Sequence, residues 1–549
     1  MHAPTPKRLL IAASLATLLA ACGSDNDDHS APPAPTPNPP PPAMTAGDML
    51  LLTASNRLVS INRDAPGTIR TSVPVTGLQA GENLVGIDVR PADGMLYGVG
   101  STGRIYTIDM TTGAATMKSR LVADTADTSA PFTALAGTDF GVDFNPAADR
   151  LRVVGNTGQN LRINVDSGAT TTDGDINGGA AGSAITAAAY TNSFAGTATT
   201  TLYVLDSARD TLYVQNPPNN GTLATPVALG VDGGAVNGFD IDARSNMGYA
   251  VMGVGATRNL YTVNLSATSA PLTAVGALAL TEDVRGIALR SPAAPVVFGL
   301  ADSSRLVSFK AATPNTVDTN VAITGLTGAE TLLGIDFRPK DGLLYGLTST
   351  GRIVTIDTAT GALTAKATLS ADATDTTQPY TAIAGTAFAV DFNPVADRLR
   401  VIGNTGQSLR INVDTGATTT DGSINRAGAA PTITAAAYTN SFAGTTATAL
   451  YDIDTASGSL ALQNPPNDGV LVNVGLLGMA VLGDVGFDIA GGANGLVLAA
   501  LRSSAGGAST LYRVDLATGA ATPINGATTP ATSAIGGSLG LRDIAISLK

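Results

Sequence analysis

From about Met49 to Lys549 the chain alternates short apolar runs with polar turns. The runs carry Val, Ile, Leu, Thr and Tyr, the β-branched and aromatic residues that suit a pleated, half-buried surface. Asp, Gly, Asn and Pro fill the breaks, where side-chain hydrogen bonds and backbone freedom favour tight reversals. No stretch of the body shows the three-to-four residue spacing of an amphipathic helix. One unit reads GIDVRPADGMLYGVGSTGRIYTIDMTTGAAT from Gly86, and related units begin at Gly141, Ala187 and Gly238. Each offers an apolar strand, a turn, an aliphatic or Tyr-bearing strand, a polar turn and a further strand. Units of about 45 to 50 residues with four strands describe propeller blades. The segment LLLTASNRLVSINRD, near Met49, matches the second and third strands of such a unit. DVRGIALR from Asp283 matches a first strand, so it can complete the opening blade and leave no free edge. The expectation is an all-β fold with five blades.

The whole pattern then repeats. Gly86 recurs as Gly334, Asp143 as Asp391 and Asp240 as Asp488, each 248 residues on. A constant offset over that span marks duplication of an entire domain. The expected organisation is a first copy over residues 49–290, a join SPAAPV from Ser291, and a second copy over 297–549. Two tandem five-bladed β-propellers fit this pattern. Because DVRGIALR runs into SPAAPV-VFGLADSSRLVSFK as a continuous blade would, a single ten-bladed ring fits too.

The segments GIDVRP, DFNPAADRLRVVGNTGQNLRIN and AAAYTNSFAG, each present twice, resemble the bacterial "domain of unknown function 4394" family over both copies. Single copies of this size are common in that family, which implies rings that close on themselves. The resemblance implies a fold and no chemistry.

The first residues bear on compartment. Lys7 and Arg8 precede an apolar stretch, Leu9 to Leu19, that is too short to span a bilayer and reads as a signal-peptide core. Leu19-Ala20-Ala21-Cys22 resembles the lipobox of bacterial lipoproteins, which implies cleavage after residue 21 and acylation of Cys22. Cys22 is the one cysteine of the chain, so no intramolecular disulfide is available to an exported fold. Gly23, in place of Asp, implies the outer membrane by resemblance to enterobacterial sorting. Residues 22–48 are acidic and then proline-rich, an extended spacer that cannot build a core. The expected location is the cell envelope, facing either the periplasm or the surface. The net charge is −12, and five Lys follow the leader, so no basic patch for nucleic acid is visible.

Candidate chemistry is narrowed by what is missing. The two His are His2 and His29, and the body has neither Cys nor Trp. That removes His-based triads, Cys nucleophiles and the usual zinc and copper ligand sets. Carboxylates, Arg, Tyr and hydroxyls remain. Three first strands per copy carry Asp at the same place: Asp88, Asp143 and Asp240, then Asp336, Asp391 and Asp488. First strands line a propeller channel, where these carboxylates could bind a cation such as calcium, act as a glycosidase acid and nucleophile, or accept turn amides between blades. Glu82 and Glu330, just before the GID motifs, extend each set. Arg152 and Arg162, with Arg400 and Arg410 in the second copy, could grip a carboxylate or sugar acid, or pair with Asp across blades. TTTDGDIN from Thr170 hints at a calcium loop but lacks the terminal Glu. Three functions stay open: a non-enzymatic binding or scaffold module for a glycan or protein, a hydrolase for carbohydrates or lactones, and a structural envelope protein. Fold alone does not choose among them.

Overall fold

The computed structural model describes residues 46–234, 237–290, 295–428, 430–492, 495–525 and 532–548. The leader, Cys22, nearly all of the spacer and most of the SPAAPV join lie outside them. Ten separate sheets form, five from each copy. Apart from a short parallel addition, they are antiparallel meanders of four strands.

The innermost strands of the first copy are Val284–Leu289, Leu84–Val89, Phe140–Asn145, Ile185–Tyr190 and Asn237–Ile241. Each packs on the next and the fifth packs on the first, so they close a ring. The second copy closes likewise through Leu541–Ser547, Leu332–Phe337, Phe388–Asn393, Ile433–Tyr438 and Gly486–Ala490. Val284–Leu289 pairs antiparallel with Met49–Thr53, and Leu541–Ser547 pairs with Val296–Ala301. Each copy therefore completes its own opening blade, and the ten-bladed alternative falls. These are two five-bladed propellers. Among the described residues, no helix is long and apolar enough to cross a membrane.

Five strands converging on an axis leave little room for side chains, and the glycine of the GID-type motifs answers that constraint. A Cβ on Gly86 would lie 2.4 Å from Val142 Cγ2, and one on Gly141 would lie 2.5 Å from the Ala188 backbone nitrogen. Outside the axis, neighbouring sheets bury apolar faces against each other. Tyr97 meets Phe144 edge-on at 5.3 Å, and Tyr345 meets Phe392 at 5.4 Å, the same contact in each ring. The third blade gains a fifth, parallel strand from the preceding connection, Val122–Ala123 in one ring and Ser370–Ala371 in the other.

The rings dock through residues the duplication kept only in part: Phe194 recurs as Phe442, whereas Ala243 and Arg244 correspond to Gly491 and Gly492. Phe194, fully buried, and Ala243 of the first ring join the core of the second ring's first and last blades. Asn246 Nδ2 donates to the Gly492 carbonyl at 2.8 Å, and the Gly492 amide donates to the Arg244 carbonyl. A Cβ at Gly492 would lie 2.4 Å from the Ser245 carbonyl oxygen, so this close approach needs glycine.

Candidate functional site

The inner strands do not ladder to one another as the strands of a blade do, so their backbone N–H groups need other acceptors. The six motif aspartates supply them. Asp88 accepts the Phe144 amide of the next blade at 2.7 Å, Asp143 accepts Tyr190 at 3.0 Å, and Asp240 accepts Leu289 at 2.6 Å. In the second ring Asp336 accepts Phe392 at 2.7 Å, Asp391 accepts Tyr438 at 2.9 Å, and Asp488 accepts Ile546 at 2.5 Å. Asp88, Asp240 and Asp336 also accept the amide of the residue that follows each of them. The Gly-x-Asp spacing, present at five of the six (Asp391 follows Ala389), explains the arrangement. Alternation puts Gly and Asp on one side of the strand, so the neighbour comes close at Gly and is bonded at Asp.

The same geometry crowds the acids. In each ring the three carboxyl groups offer one oxygen apiece within 4.8 Å of the others, and all three residues are buried. Burial first, and then the like charges around it, pushes Asp88, Asp143, Asp336 and Asp391 well above the usual carboxylate range. Burial raises Asp240 to about 7 and Asp488 to about 6, against the pull of the amides each accepts. Crowding thus makes each carboxyl harder to ionise than a free one. The trio is a candidate site for a small hard cation, since an ion could offset the like charges. It offers three protein ligands, against the six to eight oxygens that calcium takes.

Sequence reasoning missed a fourth acid of the second ring. Asp543 sits in the closing strand opposite Leu300, where the first ring has Gly286 opposite Leu52. It accepts the Ile335 amide at 2.9 Å, and burial raises it strongly. The signal was LRDIAIS against VRGIALR, hidden because the 248-residue offset breaks before this strand. Also missed was Asp452, fully buried, neither oxygen of which has a hydrogen-bond partner in the structure.

Glu82 and Glu330 do not join the acid clusters. Glu82 accepts Tyr106 Oη at 2.6 Å and the Thr102 amide at 3.1 Å, and Glu330 pairs with Arg352 at 2.6 Å. The arginines are committed as well. Arg152, only 1% exposed, and Arg162 both hold Asp173 Oδ2 at 2.6 Å. Arg152 also donates to Tyr190 Oη at 3.2 Å and Asn219 Oδ1 at 2.7 Å, which ties the third blade to the fourth. Arg400 and Arg410 repeat this around Asp421. Arg150, on the same strand, instead bonds the Asp149 carbonyl at 2.9 Å. With Asp173 held by two guanidiniums and Asp175 exposed, TTTDGDIN does not wrap an ion.

One further space lies where the rings face each other. A cavity of about 290 Å³ is bounded by Arg63, Asp242, Arg244 and Tyr249 of the first ring. Its other wall is Phe337, Phe442, Ile489, Ile546 and Leu548 of the second, with Asp336 and Asp488 among the lining residues. The first ring's own channel, at the level of Gly86 and Gly141, holds about 10 Å³, room for about one water.

Strand order, self-closure and the inner acid clusters define a tandem β-propeller protein. The family profile of the domain of unknown function DUF4394 matches residues 57–288 and again 305–536. The chain belongs to that family, in two copies. No curated protein matches it. Among solved structures it is similar to the Dos1 propeller at 13% identity, over 68% of this chain and 95% of that one, with a TM-score of 0.26. A nidogen/laminin complex is similar at 12% identity, over 57% and 87%, with a TM-score of 0.22. Hydrazine synthase of Kuenenia stuttgartiensis is similar at 9% identity, over 70% and 97%, with a TM-score of 0.24. The fold assignment here rests on the strand pairing.

Proposed function

We propose that this chain is a lipid-anchored protein of the bacterial cell envelope, held by Cys22, whose two propellers form a non-enzymatic binding scaffold for a glycan, a small polar ligand or a protein. One observation carries the reading. The six channel carboxylates, the groups best placed for hydrolysis, are buried and bonded to backbone amides of the neighbouring blade. A glycosidase acid and its partner carboxylate must reach a sugar lying between them. The sequence of the leader supports the anchor, and the acidic, proline-rich spacer supports a body held away from the membrane.

The test is Asp88→Asn together with Asp143→Asn. The scaffold reading expects melting temperature to fall, because acceptors between blades are weakened. Unchanged melting with loss of activity on a panel of glycosides and lactones would sink it. The close approach of three carboxyl oxygens favours a second reading of the same residues, as a cation site. Calcium added at pH 8 then raises the melting temperature of the native chain, and the gain is lost only when Asp336→Asn and Asp391→Asn are added to the double variant.

A further inference from the structure

We propose that the cavity between the rings is the ligand site of this scaffold, and that it takes a small monocarboxylate with a flat apolar body. The inference rests on the binding-scaffold reading and adds to it a place and a chemical class.

The space follows from how two unequal copies dock. Arg244 and Gly492 are equivalent positions, and their backbones meet, the Gly492 amide donating to the Arg244 carbonyl. Contact between equivalent turns marks a near two-fold relation, in which an element reaching across from one ring has a counterpart reaching back. Phe194 and Phe442 are such counterparts. Phe194 is fully buried in a core shared with Ala311 and Ala490 of the second ring. Phe442 lines the cavity with the first ring's residues at the equivalent positions, which are Arg63 and Asp242. These two pair at 2.6 Å, and the Arg63 guanidinium lies over the Tyr249 ring at 4.9 Å. Where Phe194 finds alanines, Phe442 thus meets a pair of charged side chains. It stays half-buried, and about 290 Å³ is left open beside it.

The lining sets the ligand class. Phe337, Phe442 and Tyr249, with Ile546 and Leu548, supply apolar and aromatic wall for a flat body. Most of the charged groups around them are already engaged. Arg63 holds Asp48 and Asp242, and Arg338 holds Asp397 and Asp414. Asp336 and Asp488 are buried and accept backbone amides of the neighbouring blade. Arg244 differs. It is exposed, its Nε donates to the Leu548 carbonyl at 3.2 Å, and its two terminal nitrogens have no partner among the described residues. The fork of N–H groups at that end of a guanidinium matches the two oxygens of a carboxylate. One such guanidinium beside aromatic rings suits one carboxylate on an apolar body.

The experiment is isothermal titration of the full chain with benzoate, against benzamide, which lacks the charge, and acetate, which lacks the body. The expected result is saturable binding of one benzoate per chain, at least about tenfold tighter than either comparator. Arg244→Gln, an exposed change, should remove the advantage of benzoate over benzamide at unchanged melting temperature. Phe442→Ala should remove its advantage over acetate. Neither heat nor a rise in melting temperature at about 10 mM benzoate overturns the proposal. So does benzamide binding as tightly as benzoate, or undiminished benzoate binding by Arg244→Gln. Those failures end the site alone and leave the scaffold with another partner. Benzoate binding by a sample that also turns over the glycoside and lactone panel supports the site and ends the non-enzymatic reading.

Discussion

A carboxyl group sealed among apolar side chains must keep its proton or find a partner. Asp452 does not find one. It stands where the first copy has Val204, and opposite it Ala461 stands where the first copy has Tyr213. Burial raises its carboxyl to about 8, against the attraction of Arg400. An unfolded aspartate titrates near 3.9, so holding the proton at pH 7 costs up to about 4 kcal/mol. Asp452→Val with Ala461→Tyr restores the first copy's packing and should raise the melting temperature by several degrees at pH 7. The acid part of that gain vanishes near pH 4, where the unfolded chain holds the proton too. Arg152 predicts the opposite sign. Its removal leaves Asp173 buried with one guanidinium fewer, and Arg152→Met should cost about 3 kcal/mol or more in denaturant titrations. The residue scale is where the sequence was least legible. The six channel acids could be placed, but whether they bound a ligand or a backbone amide depended on how closely the next strand approached. Asp452 was not singled out because it belongs to none of the repeated motifs and stands where the first copy has Val204.

At the scale of elements the chain was far more readable. Short apolar runs between turn residues marked the blades, and the leftover first strand DVRGIALR marked the closure that the pairing of Val284–Leu289 with Met49–Thr53 realises. The fifth strand of the third blade escaped notice because Val122–Ala123 is two residues long and pairs in parallel from the preceding connection. Inner-strand glycines were visible as a motif, and their reason is steric. Gly486→Ala forces a Cβ against the Ile544 backbone nitrogen, 2.6 Å away. It should destabilise the second ring by about 1–3 kcal/mol or prevent its closure, read as a lower-melting transition in calorimetry.

The whole molecule should respond to pH in an unusual direction. Asp240, Asp488 and Asp452, at about 7, 6 and 8, sit above the unfolded value. Their contribution is complete below about pH 4 and is lost as pH rises through those folded values. Glu330 acts the other way. Burial opposes its ionisation, but hydrogen bonds from Thr348, Thr350 and Thr327 hold it at about 2, so its contribution fades as pH falls below about 4. The melting temperature should therefore peak near pH 5 and decline toward pH 8. A flat or rising profile over that interval in chelator-treated protein would mean that the channel acids ionise in the fold. For the anchor, Cys22→Ser should move the chain from the membrane fraction to the soluble envelope fraction. How the rings dock was not legible at all, since Phe194 and Gly492 look the same in the sequence whether they face solvent or a second ring.

In the first ring the Arg290 amide donates to the Asp48 carbonyl at 3.0 Å. The chain enters that propeller and leaves it at neighbouring points. A domain with its doorway and exit side by side is topologically a bead on a string: it can be spliced in or excised without rerouting what lies on either side. Backbone routing thus sets no limit on how many copies could follow one another; any limit comes from the faces through which neighbouring rings dock.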